Sequence, residues 1–188
     1  MPLFLARQIL LSVIVVTTDT RMPASWLCNA VHYATNSSYC HVALRIQGQP
    51  LPSVPPGDYL LENAMRTELP DVISGETNRS GAQLLSFAAR REQWASVRER
   101  PLGKSSSQAF AKVFWTMRNV SFSPDMHTLL RMLALQYSDW PQHLVCSTFL
   151  AKFLFRLGCI PMKTPELFNA FPKDFANDTA IVMGSCSR

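Results

Sequence analysis

Cys146 stands where a helix places a cysteine nucleophile. It opens an apolar stripe with spacings of three and four, the pattern of a helix that packs on a core, and Gly158 supplies a C-terminal stop. Free N–H groups and the positive dipole end of the first turn favour a thiolate. A cysteine on an apolar face is usually only a core residue, so a catalytic interpretation needs partners. The stripe consists of Cys146, Phe149, Leu150, Phe153, Leu154 and Leu157.

His41 and Glu62 are the partners that the chain offers. His41 begins an apolar run to residue 46, and Glu62 interrupts a second run at 59–64; both runs are typical of strands. An unpaired carboxylate is costly to bury, so Glu62 needs a partner. A thiol, an imidazole and a carboxylate from a helix start and two adjacent strands are the parts of a cysteine-hydrolase triad.

The chemistry of such a triad assigns a role to each side chain. We expect Cys146 to attack a carbonyl, His41 to protonate the leaving group, and Glu62 to orient the imidazole. The backbone N–H of Cys146 is the first oxyanion donor. Tyr39 is a candidate second donor, since strand alternation would place it on the same side as His41. His143 is a rival base and ranks below His41 because it lacks the strand setting.

Composition indicates an ordinary globular protein. With 188 residues, 47% apolar and 16% charged, the chain is expected to form one domain over 1–188, with 176–188 as a possible tail. The net charge is +5, but the basic residues are scattered, and the cluster at 90–100 is interleaved with glutamates. We therefore expect that cluster to be a solvated face and predict no specific nucleic-acid partner.

The five cysteines are odd in number and show no paired spacing, so we expect no disulfide framework. Cys28, Cys159 and Cys186 are then packing or surface residues. No Cys-x-x-Cys occurs and no zinc-ligand spacing is present, so no metal or cofactor is predicted. A reducing intracellular compartment follows as the expected location. Four Asn-x-Ser/Thr triplets are possible glycosylation sites and would favour a secreted protein, but such triplets are frequent by chance.

The apolar segment 3–16 invites a comparison between a signal peptide and a strand. It has no clean cleavage site, and Arg7 with Gln8 keeps it below the length of a membrane span. Residues 9–17 are rich in β-branched residues, which favours a buried strand. We therefore predict no transmembrane segment, and a cytoplasmic or virion-associated location over secretion.

The remaining pattern predicts an α+β domain, an antiparallel sheet or small barrel packed against a helical subdomain that carries the nucleophile helix. The segments 47–58 and 66–80 are predicted to be irregular, and the first is expected to shape access to the site. The segment 90–107 is charged, and Pro101 and Gly103 indicate that it is irregular as well. Strands are predicted at 9–17, 39–46, 59–65, 82–87 and 180–183, and helices at 24–34, 107–118, 123–135 and 164–168.

Four short motifs resemble one family of hydrolases. Tyr-Cys-His-Val-Ala-Leu at 39–44, Leu-Leu-Glu-Asn-Ala at 60–64, Cys-Ser-Thr-Phe-Leu at 146–150 and Thr-Pro-Glu-Leu at 164–167 stand in the order found in the circularly permuted papain-like amidases. These are NlpC-type relatives that include YiiX-like and poxvirus proteins. The resemblance spans about 9–170 and implies a permuted papain-like fold and a thiol amidase or peptidase. Cys40 replaces the family's usual serine, which would put a second thiol beside the site.

Three functions are compatible with these patterns. The first is a cysteine hydrolase that cleaves an amide or ester, such as a peptide or cell-wall fragment, through a thioester. The second is a lipid acyl hydrolase or acyltransferase of the same plan as lecithin:retinol acyltransferase. The third is a catalytically silent structural or virion-associated protein with assembly partners. Misplaced triad atoms would support the third, and a long apolar groove the second.

Overall fold

The computed structural model describes residues 7–19, 24–65, 67–122, 143–160, 170–176 and 186. It shows an α+β protein whose main element is a five-stranded antiparallel sheet with the order β4-β3-β2-β1-β5. The helices predicted at 123–135 and 164–168 and the strand predicted at 180–183 lie outside the described residues. The strands are β1 (Gln8–Asp19), β2 (His41–Gly48), β3 (Gly57–Ala64), β4 (Gly81–Ser86) and β5 (Trp94–Ser106).

The strand predicted at 9–17 is confirmed as β1, which pairs with β2 on one side and β5 on the other. Its run from Val13 to Val16 is completely buried. Side chains on both faces of this strand are covered, which explains why its sequence is continuously apolar instead of alternating. The β-branched residues of the run suit a pleated, buried surface.

Strand β5 was not predicted, because Pro101 and Gly103 suggested an irregular segment over 90–107. The structure instead has a 13-residue strand at the edge of the sheet. An edge strand tolerates proline, since its outer N–H groups are not needed for pairing. Leu11 pairs with Gly103 and Ser12 with Pro101, so Leu102 is an extra residue at a β-bulge.

The helices predicted at 24–34 and 107–118 and from Cys146 are confirmed. Ser106 caps the second of these by accepting a hydrogen bond from the Gln108 N–H at 3.2 Å. Phe110 then meets Phe153 at 5.4 Å between ring centroids, which packs two helices together. The helices are α1 (Ala24–Thr35), α2 (Phe87–Arg91), α3 (Ser107–Met117), α4 (Cys146–Leu157) and α5 (Pro172–Ala176), and a parallel pair joins β6 (Ser121–Phe122) to β7 (His143–Leu144).

The sheet has a different cluster of buried side chains on each face. The larger cluster contains Val42 and Leu44 and the apolar stripes of α3 and α4. The smaller one contains Ala43, Leu60 and Trp94. The two clusters follow from strand alternation, because successive residues of β2 point to opposite faces.

Four of the five cysteines form disulfides, which contradicts the expectation that none would. Cys28 pairs with Cys40, and Cys159 pairs with Cys186. Cys146 is the free cysteine. The partners are 12 and 27 residues apart, so their proximity arises from the fold and not from local spacing. Cys40 is therefore not a second thiol beside the site, because its sulfur joins the residue before β2 to α1.

None of the helices within the described residues is long and apolar enough to cross a membrane.

Candidate active site

Cys146 is the first residue of α4, as the apolar stripe predicts. Val145 precedes it in an extended conformation and provides no side-chain cap, because valine has no acceptor oxygen. The first-turn N–H groups are thus available for another acceptor. The stop at Gly158 is confirmed: this residue adopts a left-handed conformation with φ of 80°. Cys146 is buried, with 8% of its surface exposed.

His41 and Glu62 come together on one face of the sheet. Leu44 pairs with Leu61 in the antiparallel register, so residue 43 lies opposite Glu62, and His41 is its diagonal neighbour. The His41 Nε2 and Glu62 Oε2 atoms are 2.8 Å apart. Only 8% of His41 and 1% of Glu62 are exposed. Glu62 thus has the buried partner that its place in an apolar strand required.

Cys146 is the third member of the group, because it lies close enough to His41 to raise the pKa of the imidazole. Because Nε2 faces Glu62, the Nδ1 atom is the ring nitrogen left for the sulfur. Cys146 belongs to the larger core cluster, whereas His41 lies on the opposite face of β2. Their proximity is possible because His41 is the first residue of its strand. The structure thus pairs His41 with Glu62 and places Cys146 where it influences the pKa of His41.

The charge state of His41 follows from these neighbours. Burial alone lowers the pKa of the imidazole, because it disfavours the charged form. The charge of Cys146 and its hydrogen bond act in the opposite direction, followed by the hydrogen bond and charge of Glu62. The result is a pKa raised from 6.5 to about 9. The neighbours of His41 therefore favour its cationic form at neutral pH.

Arg90 is a further member of the site that the sequence interpretation missed. It was expected on a solvated face but is fully buried, and its Nε lies 3.0 and 3.2 Å from the two carboxylate oxygens of Glu62. Its guanidinium also lies over the Trp94 ring, 4.7 Å from the centroid. The signal that pointed to it was Glu62 itself, because a carboxylate in an apolar strand needs a buried partner of opposite charge.

The structure gives less support to the two secondary candidates, Tyr39 and His143. Tyr39 precedes β2, so the strand alternation that was expected to align it with His41 does not apply. It is partly buried and packs against the core cluster that contains Cys146, while its N–H donates to the Ser37 hydroxyl at 3.2 Å. His143 lies in β7, but its side chain is outside the described part of the structure.

The loop between β2 and β3 is ordered by its own contacts. Leu51 and Val54 are buried in the main core, and the Tyr59 hydroxyl donates to the Pro55 carbonyl at 2.8 Å. This loop is therefore anchored to the core beside the two strands that carry His41 and Glu62.

Among the described residues, no group of three or more histidine, cysteine or acidic side chains has the arrangement of a metal site. Comparison of the chain with protein-family models, with curated proteins and with solved structures gave no match.

Proposed function

We propose that this protein is a cysteine hydrolase that cleaves an amide or ester bond through a thioester on Cys146, on a permuted papain-like plan. The observation that supports it best is the buried His41–Glu62 pair, with Cys146 close enough to raise the pKa of His41. These groups come from a helix start and two strands, and they are more than a hundred positions apart at the extremes. Packing alone does not require a thiol, an imidazole and a carboxylate to lie next to one another in space.

The proposed first step is attack by the Cys146 thiolate on the substrate carbonyl carbon. A carbon–sulfur bond forms and the carbonyl electron pair moves to oxygen. When that pair returns, the bond to the leaving amine or alcohol breaks, and the imidazolium of His41 gives its proton to the leaving atom. The acyl group stays on sulfur as a thioester.

The second step returns the enzyme to its starting state. Neutral His41 removes a proton from water as the water oxygen attacks the thioester carbon. The carbon–sulfur bond then breaks, which leaves the acid product, the Cys146 thiolate and the His41 imidazolium. Glu62 fixes the imidazole through Nε2, so Nδ1 stays directed at the sulfur throughout.

The negative oxygen of each intermediate needs donors that are already in place. The N–H of Cys146 is the first donor, since it belongs to a helix start without a side-chain cap. Tyr39 is the proposed second donor, because it packs against the cluster that contains Cys146.

The arrangement of Cys146, His41 and Glu62 also helps to distinguish this function from the other two. A catalytically silent protein has no need to keep a buried His41–Glu62 pair beside Cys146, so this arrangement favours an enzyme. A lipid acyl hydrolase or acyltransferase would use the same three residues, and its distinction from an amidase is the chemistry of the acyl group.

Acylation of Cys146 tests the proposal. We would incubate the protein with the p-nitrophenyl esters of acetate, of decanoate and of an N-blocked amino acid, and measure intact mass after rapid acid quenching. The expected result is a single acyl adduct that is located on Cys146 and absent from Cys146→Ala. His41→Ala should slow its formation. Preference for decanoate would indicate a lipid substrate, and preference for the amino acid a peptide. If all three esters acylate His41→Ala as fast as the wild type, the proposal fails.

The disulfides bear on where such an enzyme would work. The intracellular location expected from the cysteine count stays a prediction, but its main argument is weakened, because four of the five cysteines pair. Structural disulfides form and persist in oxidising environments. We therefore favour an oxidising compartment, in which Cys146 is the thiol left for chemistry.

A further inference from the structure

We propose that Arg90 is a positioning residue for the triad, one that holds Glu62 ionised and directed at His41. This inference rests on the proposed function. Arg90 adds a fourth residue to Cys146, His41 and Glu62, next to Glu62.

The contacts of Arg90 leave its guanidinium little freedom. Its Nε donates to both oxygens of Glu62, at 3.0 and 3.2 Å, and its Nη1 donates to the Gln93 side-chain oxygen at 2.9 Å. One face of the guanidinium lies over Trp94, whose ring in turn lies 6.0 Å from the ring of His41. A planar group held by hydrogen bonds and by stacking keeps a fixed orientation, which a lysine would not reproduce.

Charge balance explains why a cation is needed beside Glu62. The site contains the Glu62 carboxylate and, in the reactive state, the Cys146 thiolate, with the His41 imidazolium between them. Arg90 and Glu62 are both fully buried in their side chains, so water does not compensate an excess negative charge there. With Arg90 present, two cations face two anions among the described residues. Without it, Glu62 would take up a proton more readily, and the imidazole would lose the acceptor that orients it.

The protein contains a second buried arginine that serves as a matched control. Arg118 pairs with the buried carboxylate of Asp71 and lies over the Phe114 ring, 5.5 Å from its centroid. It also donates to the Ala82 carbonyl at 2.7 Å. Arg118 thus matches Arg90 in burial, carboxylate partner and aromatic contact but has no contact with His41 or Cys146 in the described structure. Loss of either arginine should destabilise the fold, and only loss of Arg90 should alter the site.

The test is the pH profile of Cys146 alkylation by iodoacetamide, measured by intact mass for Arg90→Met, Arg90→Lys and Arg118→Met. Removing a cation raises the pKa of neighbouring groups, so Arg90→Met should move the profile to higher pH by roughly one unit. At a fixed pH on the rising limb, this is a rate about tenfold lower. Arg90→Lys keeps the charge but not the fixed orientation, so it should restore the profile only in part, and Arg118→Met should match the wild type.

The proposal is overturned if Arg90→Met, folded by circular dichroism, keeps the wild-type profile, or if Arg118→Met shifts it equally. Because this readout uses a simple alkylating agent, it does not depend on the substrate. A shifted profile together with no ester acylation would reject the proposed function and leave the role of Arg90 toward Glu62 standing.

Discussion

The protonation of His41 should depend strongly on the sulfur of Cys146. In the wild type the pKa of His41 is raised to about 9 even though burial alone lowers it, so the raising causes together exceed the net change from 6.5. The charge and hydrogen bond of Cys146 each rank above those of Glu62 among these causes. Cys146 is therefore the main cause of the increase. We expect Cys146→Ala to lower the pKa of His41 by more than about one unit, which corresponds to about 1.4 kcal/mol of coupling.

Proton NMR of the imidazole C–H groups across pH 5–10 would measure this change. The chain has four histidines, so the His41 resonance is assigned as the one that disappears in His41→Gln. Cys146→Ser separates the two contributions, because a hydroxyl keeps a hydrogen-bonding group but carries no charge at these pH values. Its midpoint should lie between those of the wild type and Cys146→Ala. An unchanged midpoint in Cys146→Ala would refute the coupling that the geometry implies.

Three further results follow from the structure. Thiol titration of the unfolded, unreduced chain should detect one thiol, and five after reduction, because two disulfides leave Cys146 free; a count of five without reductant would contradict the pairing. The unfolding free energy should fall between about pH 6.5 and 9, since a raised folded-state pKa of His41 stabilises the fold only while the imidazole is charged; denaturant titrations of wild type and His41→Gln would show whether the decrease disappears in the variant. Asp71 has the opposite pH dependence: burial raises its pKa, but hydrogen bonds from the Leu84 and Ser74 N–H groups and from Arg118 lower it overall. Its contribution to stability is therefore present above its unfolded pKa and lost as the pH falls through the lower folded value. Arg118→Met should cost about 3 kcal/mol of unfolding free energy at neutral pH, and a loss below about 1 kcal/mol would count against this buried pair.

The elements closest to the site could be predicted from the sequence because their patterns are local. The stripe from Cys146 and the stop at Gly158 define α4 within one segment, and the apolar runs around His41 and Glu62 define β2 and β3. The need of a buried carboxylate for a partner then connects two of these elements without any knowledge of the fold.

The features that were missed depend on contacts between distant segments. The pairing of Cys28 with Cys40 requires α1 to fold back onto β2. Burial of Arg90 requires α2 to cover β3, although its neighbours in sequence, Arg91 and Glu92, are charged. A local charge pattern therefore predicted a solvated face where the fold places one arginine inside. Pro101 likewise suggested an irregular segment, because only the order of the strands in the sheet shows that β5 is an edge strand.

The thiolate–imidazolium pair itself is best tested by the rate of Cys146 alkylation at pH 5.5. An ordinary thiol is only about 0.1% ionised there, so its alkylation is slow. If His41 holds the sulfur as a thiolate, the folded wild type should add one carboxamidomethyl group at least tenfold faster than His41→Ala, with both proteins equally folded. Equal rates in the two proteins at this pH would contradict the pair, and with it the assignment of Cys146 as a nucleophile.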